Sequence, residues 1–432
     1  MSTTIARRLI KASQPKRADI HRLATLHGPV TFDVATSRLY LGEFDPVQLP
    51  SSAAAQGPGL NPTPKVRALS LAIAQTCNLG CTYCYAQGGS FGQPSKAMAL
   101  PVAIQAIDRL LGEAVAGETV NLSFLGGEPL VNRDVLRAAA RHAFAAATRR
   151  DVRVNFALTT NGTLIKPEDA DFFEEHAFAV TISLDGKAEL HDALRPFRNG
   201  RGTYAEIMTR VQPLLKKQRR MQVSARVTVT PRNLELHDTL RSFLAAGFHS
   251  VGFSPMLSSP AGQDQMGGDA LVEMLEQMVA CGIDFEREII AGRRYAFLNM
   301  VNAMREIHRH SRRLLPCGAG DGYFGVSADG ELFACHRFVG EERAGMGDLA
   351  SGVDRERQDA WLSSRRVDRQ EPCRSCWARH LCGGGCHHEV LHRGRVACDF
   401  IRGWLHYALS AYLRLAKARP DYFAGNSHAG AG

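Results

Sequence analysis

The sequence predicts an α/β protein in which six parallel strands and their helices form a barrel or open sheet, followed by a cysteine-rich extension. Between residues 67 and 260, short apolar β-branched runs alternate with amphipathic segments of helical period. After that the alternation stops, and residues 316–400 are rich in Gly and Cys with few long apolar runs. Eleven cysteines stand in the chain, ten of them in two clusters.

The strands, in order, are Leu69 to Gln75, Thr119 to Leu125, Val152 to Thr160, Phe178 to Leu184, Gln222 to Thr230 and Ser250 to Leu257. Their apolar runs suit strands buried on both faces. Helices are expected across Pro101 to Val115, Asp134 to Thr148, Pro167 to His176, Thr203 to Gln218 and Leu234 to Ala246. Right-handed crossovers join such units.

Residues 1–66 read as an N-terminal extension and linker, with a hairpin across Val30 to Gly42 and a Pro/Gly/Ser/Ala-rich linker from Leu49 to Pro64. Residues 67–260 form the core. Residues 261–315 form a helical bridge, with helices at Asp269 to Ala291 and Tyr295 to Arg313. Residues 316–400 bury too little apolar surface to stand alone, so something covalent or metallic must hold them. Residues 401–432 carry a helix, Ile401 to Ala418, and a disordered tail ending at Gly432.

Composition excludes several classes. With 432 residues, 45% hydrophobic and 22% charged, the chain suits two or three folding units, not wholesale disorder or a multi-span membrane protein. No apolar run reaches the ~18 residues of a membrane span, and the basic N-terminus has no signal core behind it, so a cytoplasmic location is expected. The net charge of +9 is scattered, weak evidence for nucleic acid. In a reducing compartment, clustered cysteines bind metal more readily than they form disulfides.

The first cluster is Cys77-Asn-Leu-Gly-Cys81-Thr-Tyr-Cys84, at the end of the first predicted strand. Three thiolates on one loop can bind three corners of a [4Fe-4S] cube and leave the fourth iron open. Structural zinc sites need four ligands, and no neighbouring His or Cys completes them. Gly126-Gly127-Glu128-Pro129 ends the second strand, Thr159-Thr160-Asn161-Gly162 the third and Ser183-Leu184-Asp185-Gly186 the fourth. All stand at the carboxyl ends of strands, where α/β barrels place their chemistry.

These motifs resemble the radical SAM superfamily. The resemblance implies a partial (β/α)6 TIM-like barrel in which the open iron chelates S-adenosylmethionine (SAM), whose reductive cleavage yields a 5′-deoxyadenosyl radical. It implies that Cys77, Cys81 and Cys84 hold that cluster, and that Gly126, Gly127 and Glu128 receive the methionyl ammonium. Ser183 and Arg195 would lie near the carboxylate and ribose, and Tyr83 near the adenine.

The second cluster runs Cys317, twelve residues, Gly330, four residues, Cys335, then Cys373-x2-Cys376-x5-Cys382-x3-Cys386 and eleven residues to Cys398. This spacing resembles the SPASM domain of peptide- and protein-modifying radical SAM enzymes, with two auxiliary [4Fe-4S] clusters. By that resemblance Cys373, Cys376, Cys382 and Cys398 hold the distal cluster, and Cys317, Cys335 and Cys386 the proximal one. One proximal iron then lacks a cysteine, a place where related enzymes are thought to dock a substrate thiolate. A zinc ribbon would leave Cys317, Cys335 and Cys398 idle. Cys281 lies among apolar helix residues and reads as an inert core thiol.

The segments Tyr85 to Gly92 and His336 to Gly340 resemble the maturases of six-cysteine (SCIFF) peptides and of the quinohemoprotein amine dehydrogenase small subunit. Such enzymes install thioether bonds from Cys sulfur to carbon. Anaerobic sulfatase maturases have an Asp base after the cysteine equivalent to Cys335; here that position is His336, a candidate base or supporting residue. The reading implies a precursor peptide or small Cys-containing protein as substrate and a reducing donor such as flavodoxin or ferredoxin, with no membrane partner. The alternatives are carbon–carbon or carbon–oxygen crosslinking of a ribosomal peptide, and a non-enzymatic iron-sulfur or zinc protein binding nucleic acid. The N-terminal residues are expected to cap the barrel or contact a leader peptide.

Overall fold

In a computed structural model, the described residues are 4–25, 28–48 and 64–424. The expected linker, apart from Pro64, and the tail beyond residue 424 lie outside them. The first unit is helix α1 (Ile5–Ala12) and an antiparallel sheet of β1 (Ile20–Thr25), β2 (Gly28–Asp33) and β3 (Arg38–Leu41). The expected hairpin is β2–β3.

The core begins with β4 (Ala68–Gln75), which carries the short β5 (Lys96–Ala97) on its edge. Then follow α2 (Leu100–Gly112), β6 (Thr119–Gly126), α3 (Arg133–Arg149), β7 (Arg153–Thr160), α4 (Pro167–Glu175) and β8 (Ala179–Ser183). The helices α5 (Ala188–Leu194) and α6 (Tyr204–Lys217) precede β9 (Gln222–Val229), α7 (Leu236–Ala245) and β10 (Ser250–Pro255). The six strands β4 and β6–β10 lie side by side in chain order, all parallel. This is the expected partial barrel, left open. β4 is buried from Leu69 to Gln75, as a strand covered on both faces must be. α3 turns Leu136, Ala139, Ala140 and Ala143 to the sheet, and its first turn carries Asp134 at the positive end of the helix dipole.

The bridge is α8 (Gly268–Ile290) and α9 (Leu298–His308). α9 is shorter than periodicity suggests, because Phe297 forms a parallel bridge to Val251 before the helix begins. The cysteine-rich segment holds β11 (Tyr323–Val326), β12 (Glu331–Phe333), β13 (Gly345–Asp348) and β14 (Gly352–Val353). Next come α10 (Arg355–Arg365), α11 (Arg379–Cys382) and α12 (His387–Arg393), then α13 (Cys398–Ala418) and α14 (Pro420–Ala424). α14 occupies part of the stretch expected to be disordered.

This segment is also held by strand pairing with the core. β11 adds in parallel to the free edge of β4, and β12–β14 continue antiparallel from it. Strands of two to four residues give a weak sequence signal, yet they make one continuous sheet with the core and cover its open edge.

The described part of the N-terminal unit packs on the bridge and on α13. α1 packs on α8 and α13, and its Ala6 N–H donates to Glu276 at 2.7 Å. The ring of His21 stacks on Trp377 with centroids 3.8 Å apart and planes 6° from parallel. His21 Nε2 also meets His406 Nδ1 at 2.8 Å. Its apolar residues, Leu23, Val30 and Phe32, belong to the common core. Cys281 is fully buried there, and burial pushes its thiol far above the usual range, as expected of an inert group.

Candidate active site and auxiliary thiols

The carboxyl ends of β4 and β6–β10 surround a cleft whose wall includes Cys77, Cys81, Cys84, Gly127, Ser183 and Arg195. The thiol loop leaves β4 and is tied to the end of α5: Gly80 N–H donates to Pro196 at 2.8 Å and Thr82 N–H to Leu194 at 3.0 Å. Asn161, at the end of β7, reaches the Cys77 sulfur at 3.7 Å. Burial pushes Cys81 up to about 12, opposed by Arg195 and reinforced by Cys84 and Cys77. Cys77 is raised for the same first reason.

Glycines let backbone approach this loop. A Cβ on Gly127 would stand 2.2 Å from the Thr76 carbonyl, and one on Gly126 the same distance from that of Ala74. Gly127 N–H donates to Ala74 at 2.8 Å and Glu128 N–H to Thr76 at 2.8 Å, locking the motif onto β4. The Glu128 carboxylate, fully buried, accepts from Thr160 Oγ1 at 2.7 Å, Asn161 N at 2.7 Å and Leu130 N at 3.0 Å. It braces two strand ends, and the motif presents Gly126 and Gly127 to the cleft. Burial raises Glu128, and these donors hold it back.

Tyr83, Asp185 and Arg195 form a buried polar triad. Tyr83 donates to Asp185, Arg195 Nη1 donates to Tyr83 Oη at 2.6 Å, and Arg195 stands 3.8 Å from Asp185. Tyr83 and Arg195 both line the cleft. Sequence reasoning passed over Asp185 as part of a turn, although it is the acid that fixes both.

The other seven cysteines part into two groups by mutual influence. Cys335 is pushed up to about 12 by burial, with Cys386 and Cys317 adding to the rise. Cys373 is pushed up to about 11 by burial, with Cys382, Cys398 and Cys376 adding. All eleven cysteines are free thiols. Four thiolates on one zinc, at ~2.3 Å from the metal, stand about 3.8 Å apart. Among the described residues no three cysteine sulfurs lie within 4.8 Å of one another, so none is gathered as closely as the thiolates of one zinc.

His336 lines the same cleft. Tyr323 Oη donates to Ser70 at 3.0 Å, so His336 Nδ1, 2.6 Å from that hydroxyl, is the donor and Nε2 carries the lone pair. Burial, then Arg337 and Arg226, hold its imidazole down to about 4, so it is neutral at physiological pH. Three further residues escaped the sequence reading: Arg226, Arg337 and Glu389 also line this cleft. Arg226 donates to Ser254 at 2.5 Å, and Arg337 donates to Glu389. Position two after Cys335 and three after Cys386 was the only available signal for the last pair.

Residues 71–260 match the Radical SAM superfamily. They are a radical SAM domain. The chain is 27% identical over 334 residues to the serine-type anaerobic sulfatase-maturating enzyme of Klebsiella aerogenes, covering 73% of this chain and 78% of that one. It is 32% identical over 205 residues to the cysteine-type enzyme of Clostridium novyi, covering 44% and 52%. The fold is that of anSMEcpe with bound AdoMet and Cp18Cys peptide, at TM-score 0.68 and 19% identity over 82% of this chain and 99% of that one.

The cofactors of a radical SAM domain are a [4Fe-4S] cluster and SAM, and the residues present fit them. Cys77, Cys81 and Cys84 offer three thiols on one loop beside a cleft with a glycine floor and a buried arginine. The groups of four and three offer thiols for two further clusters. Among the described residues no helix is long and apolar enough to cross a membrane.

Proposed function

We propose that this chain is a peptide maturase that installs intrapeptide thioether crosslinks from Cys sulfur to carbon. The observation that carries this reading is a link from the cleft to the three-thiol group: Arg337, which lines the cleft two residues after Cys335, donates to Cys386 Sγ at 3.9 Å. A sulfur-handling centre beside a radical-generating site suits joining sulfur to carbon. The sulfatase-maturating relatives support a peptide or small protein as substrate.

When bound, the cluster and SAM supply one-electron reduction and hydrogen-atom abstraction. Cys77, Cys81 and Cys84 hold the cluster. Gly126 and Gly127 offer backbone to the methionyl group, with Ser183 and Arg195 toward its carboxylate and ribose and Tyr83 toward the adenine. Crosslinking removes a hydrogen atom from carbon, which the SAM-derived radical would take, a proton from sulfur, which His336 Nε2 would accept, and one electron, which an auxiliary cluster would take up. The electron donor would be a flavodoxin or ferredoxin.

A second reading follows the relatives' names: oxidation of a single Cys or Ser without a crosslink. Mass spectrometry of the small polypeptide encoded beside the enzyme, after co-expression, separates them. A thioether gives loss of two hydrogens per link, retention of sulfur and a cysteine that resists alkylation. An unlinked, alkylatable cysteine, or loss of its sulfur, defeats the proposal.

A further inference from the structure

The thiol count leaves one coordination place to explain. Cys317 and Cys386 act on Cys335, whereas Cys376, Cys382 and Cys398 act on Cys373, and Cys386 also borders the cavity lined by those four. A cube bound through three thiolates has one iron with no cysteine.

Glu389 stands beside that group. It lies in the first turn of α12, three residues after Cys386, which caps that helix. Its side chain is 7% exposed, and it lines both the cleft and the cavity bounded by Cys376, Cys382, Cys386 and Cys398. One carboxylate oxygen, Oε1, accepts from Arg337 Nη1, and the same nitrogen points to Cys386 Sγ at 3.9 Å. The other oxygen, Oε2, is buried with no hydrogen-bond partner. Leaving a buried carboxylate oxygen unmatched carries the full desolvation penalty of that group. Arg337 thus holds the carboxylate next to a cluster thiol, with one oxygen left for something that is not a protein donor.

We propose that Glu389 Oε2 is the non-cysteine ligand of the cluster held by Cys317, Cys335 and Cys386, with Arg337 as its positioning residue. The inference rests on the three-cluster reading above and adds the ligand that completes the proximal site. A carboxylate oxygen is a harder ligand than thiolate, so this iron is the exchangeable one of the cube.

The test uses the full chain with Cys77, Cys81 and Cys84 all changed to Ala, which leaves only the auxiliary clusters. About eight irons per chain are expected in this background. Iron well below that overturns the cluster reading and this proposal with it. Given eight irons, Glu389→Gln should change the EPR and Mössbauer spectra of one cluster, release about one iron per chain on oxidation, and leave the other cluster unmoved. Glu389→Cys should retain all eight and shift the midpoint potential of that same cluster. Spectra of Glu389→Gln that superimpose on the parent would overturn the proposal alone and leave Glu389 as the ion-pair partner of Arg337. If the Gln variant loses the whole cluster, the Cys variant decides: retention supports ligation, and equal loss overturns it.

Discussion

The indole nitrogen of Trp377 donates to the backbone carbonyl of Ser13 at 2.8 Å, joining residues 364 positions apart. Trp377 follows Cys376, is 1% exposed, and carries the stacked ring of His21 on its face. The N-terminal sheet is thereby a wall of the auxiliary-thiol region. Trp377→Ala should cost about 3–5 kcal/mol, the range for a buried tryptophan cavity, and Trp377→Phe about 1 kcal/mol for the lost hydrogen bond. Thermal unfolding with iron analysis checks this, and the Ala variant should lose iron from the four-thiol group. An unchanged Tm in Trp377→Ala would show that the wall carries no load.

Acid should loosen the same junction. Burial, with His406 and Lys16 adding, holds His21 down to about 3; burial holds His406 down to about 4. Both are neutral in the folded chain at pH 7, whereas unfolded histidines take protons below about 6.5. The unfolded state then binds more protons, so stability is complete above about pH 6.5 and falls as pH drops toward about 4. Urea midpoints at pH 7 and pH 5 should show this fall, and His406→Phe should make it shallower. Equal slopes in the two proteins would remove His406 from the account.

The glycine floor makes a sharp steric prediction. In Gly127→Ala the new methyl carbon would stand 2.2 Å from the Thr76 carbonyl and 2.7 Å from Gly89 Cα, so backbone must move. SAM binding by equilibrium dialysis should weaken at least about tenfold, the equivalent of about 1.4 kcal/mol. Unchanged affinity would mean that the strand end tolerates displacement.

Auxiliary and SAM clusters should separate genetically. Cys373 and its three neighbouring thiols lie outside the cleft formed by the strand ends. Cys373→Ala should therefore lower iron by up to about four per chain while leaving SAM cleavage without substrate within about twofold. Iron content and 5′-deoxyadenosine release, measured on the same sample, check both halves.

Much of the fold was legible because its parallel strands are runs rich in apolar and β-branched residues, buried nearly throughout in β4 and on alternate residues in β7 and β9: β4 and β6–β10 each match a run in the sequence within two residues. Their order also followed, since short crossovers place sequential strands side by side. What escaped was set by distant partners. β11 has four residues and is a strand because β4 offers it an edge. α1 is amphipathic, but nothing in its sequence names α8 and α13 as its cover. In the site, ligand spacing exposed the cysteines at once, whereas Asp185 and Glu389 depend on Tyr83, Arg195 and Arg337 arriving from other elements. Glu128 shows the converse. Its motif was plain, yet its carboxylate is taken up by Thr160 and Asn161.

The central claim is that Cys77, Cys81 and Cys84 hold a cluster that cleaves SAM in this cleft. Anaerobically reconstituted protein, given SAM and a strong one-electron reductant, tests it most directly by chromatography of the nucleoside products together with metal analysis. The account predicts 5′-deoxyadenosine from the parent, about twelve irons per chain, and no 5′-deoxyadenosine from Cys81→Ala. Undiminished cleavage by Cys81→Ala, or a parent that carries zinc without iron, would contradict it.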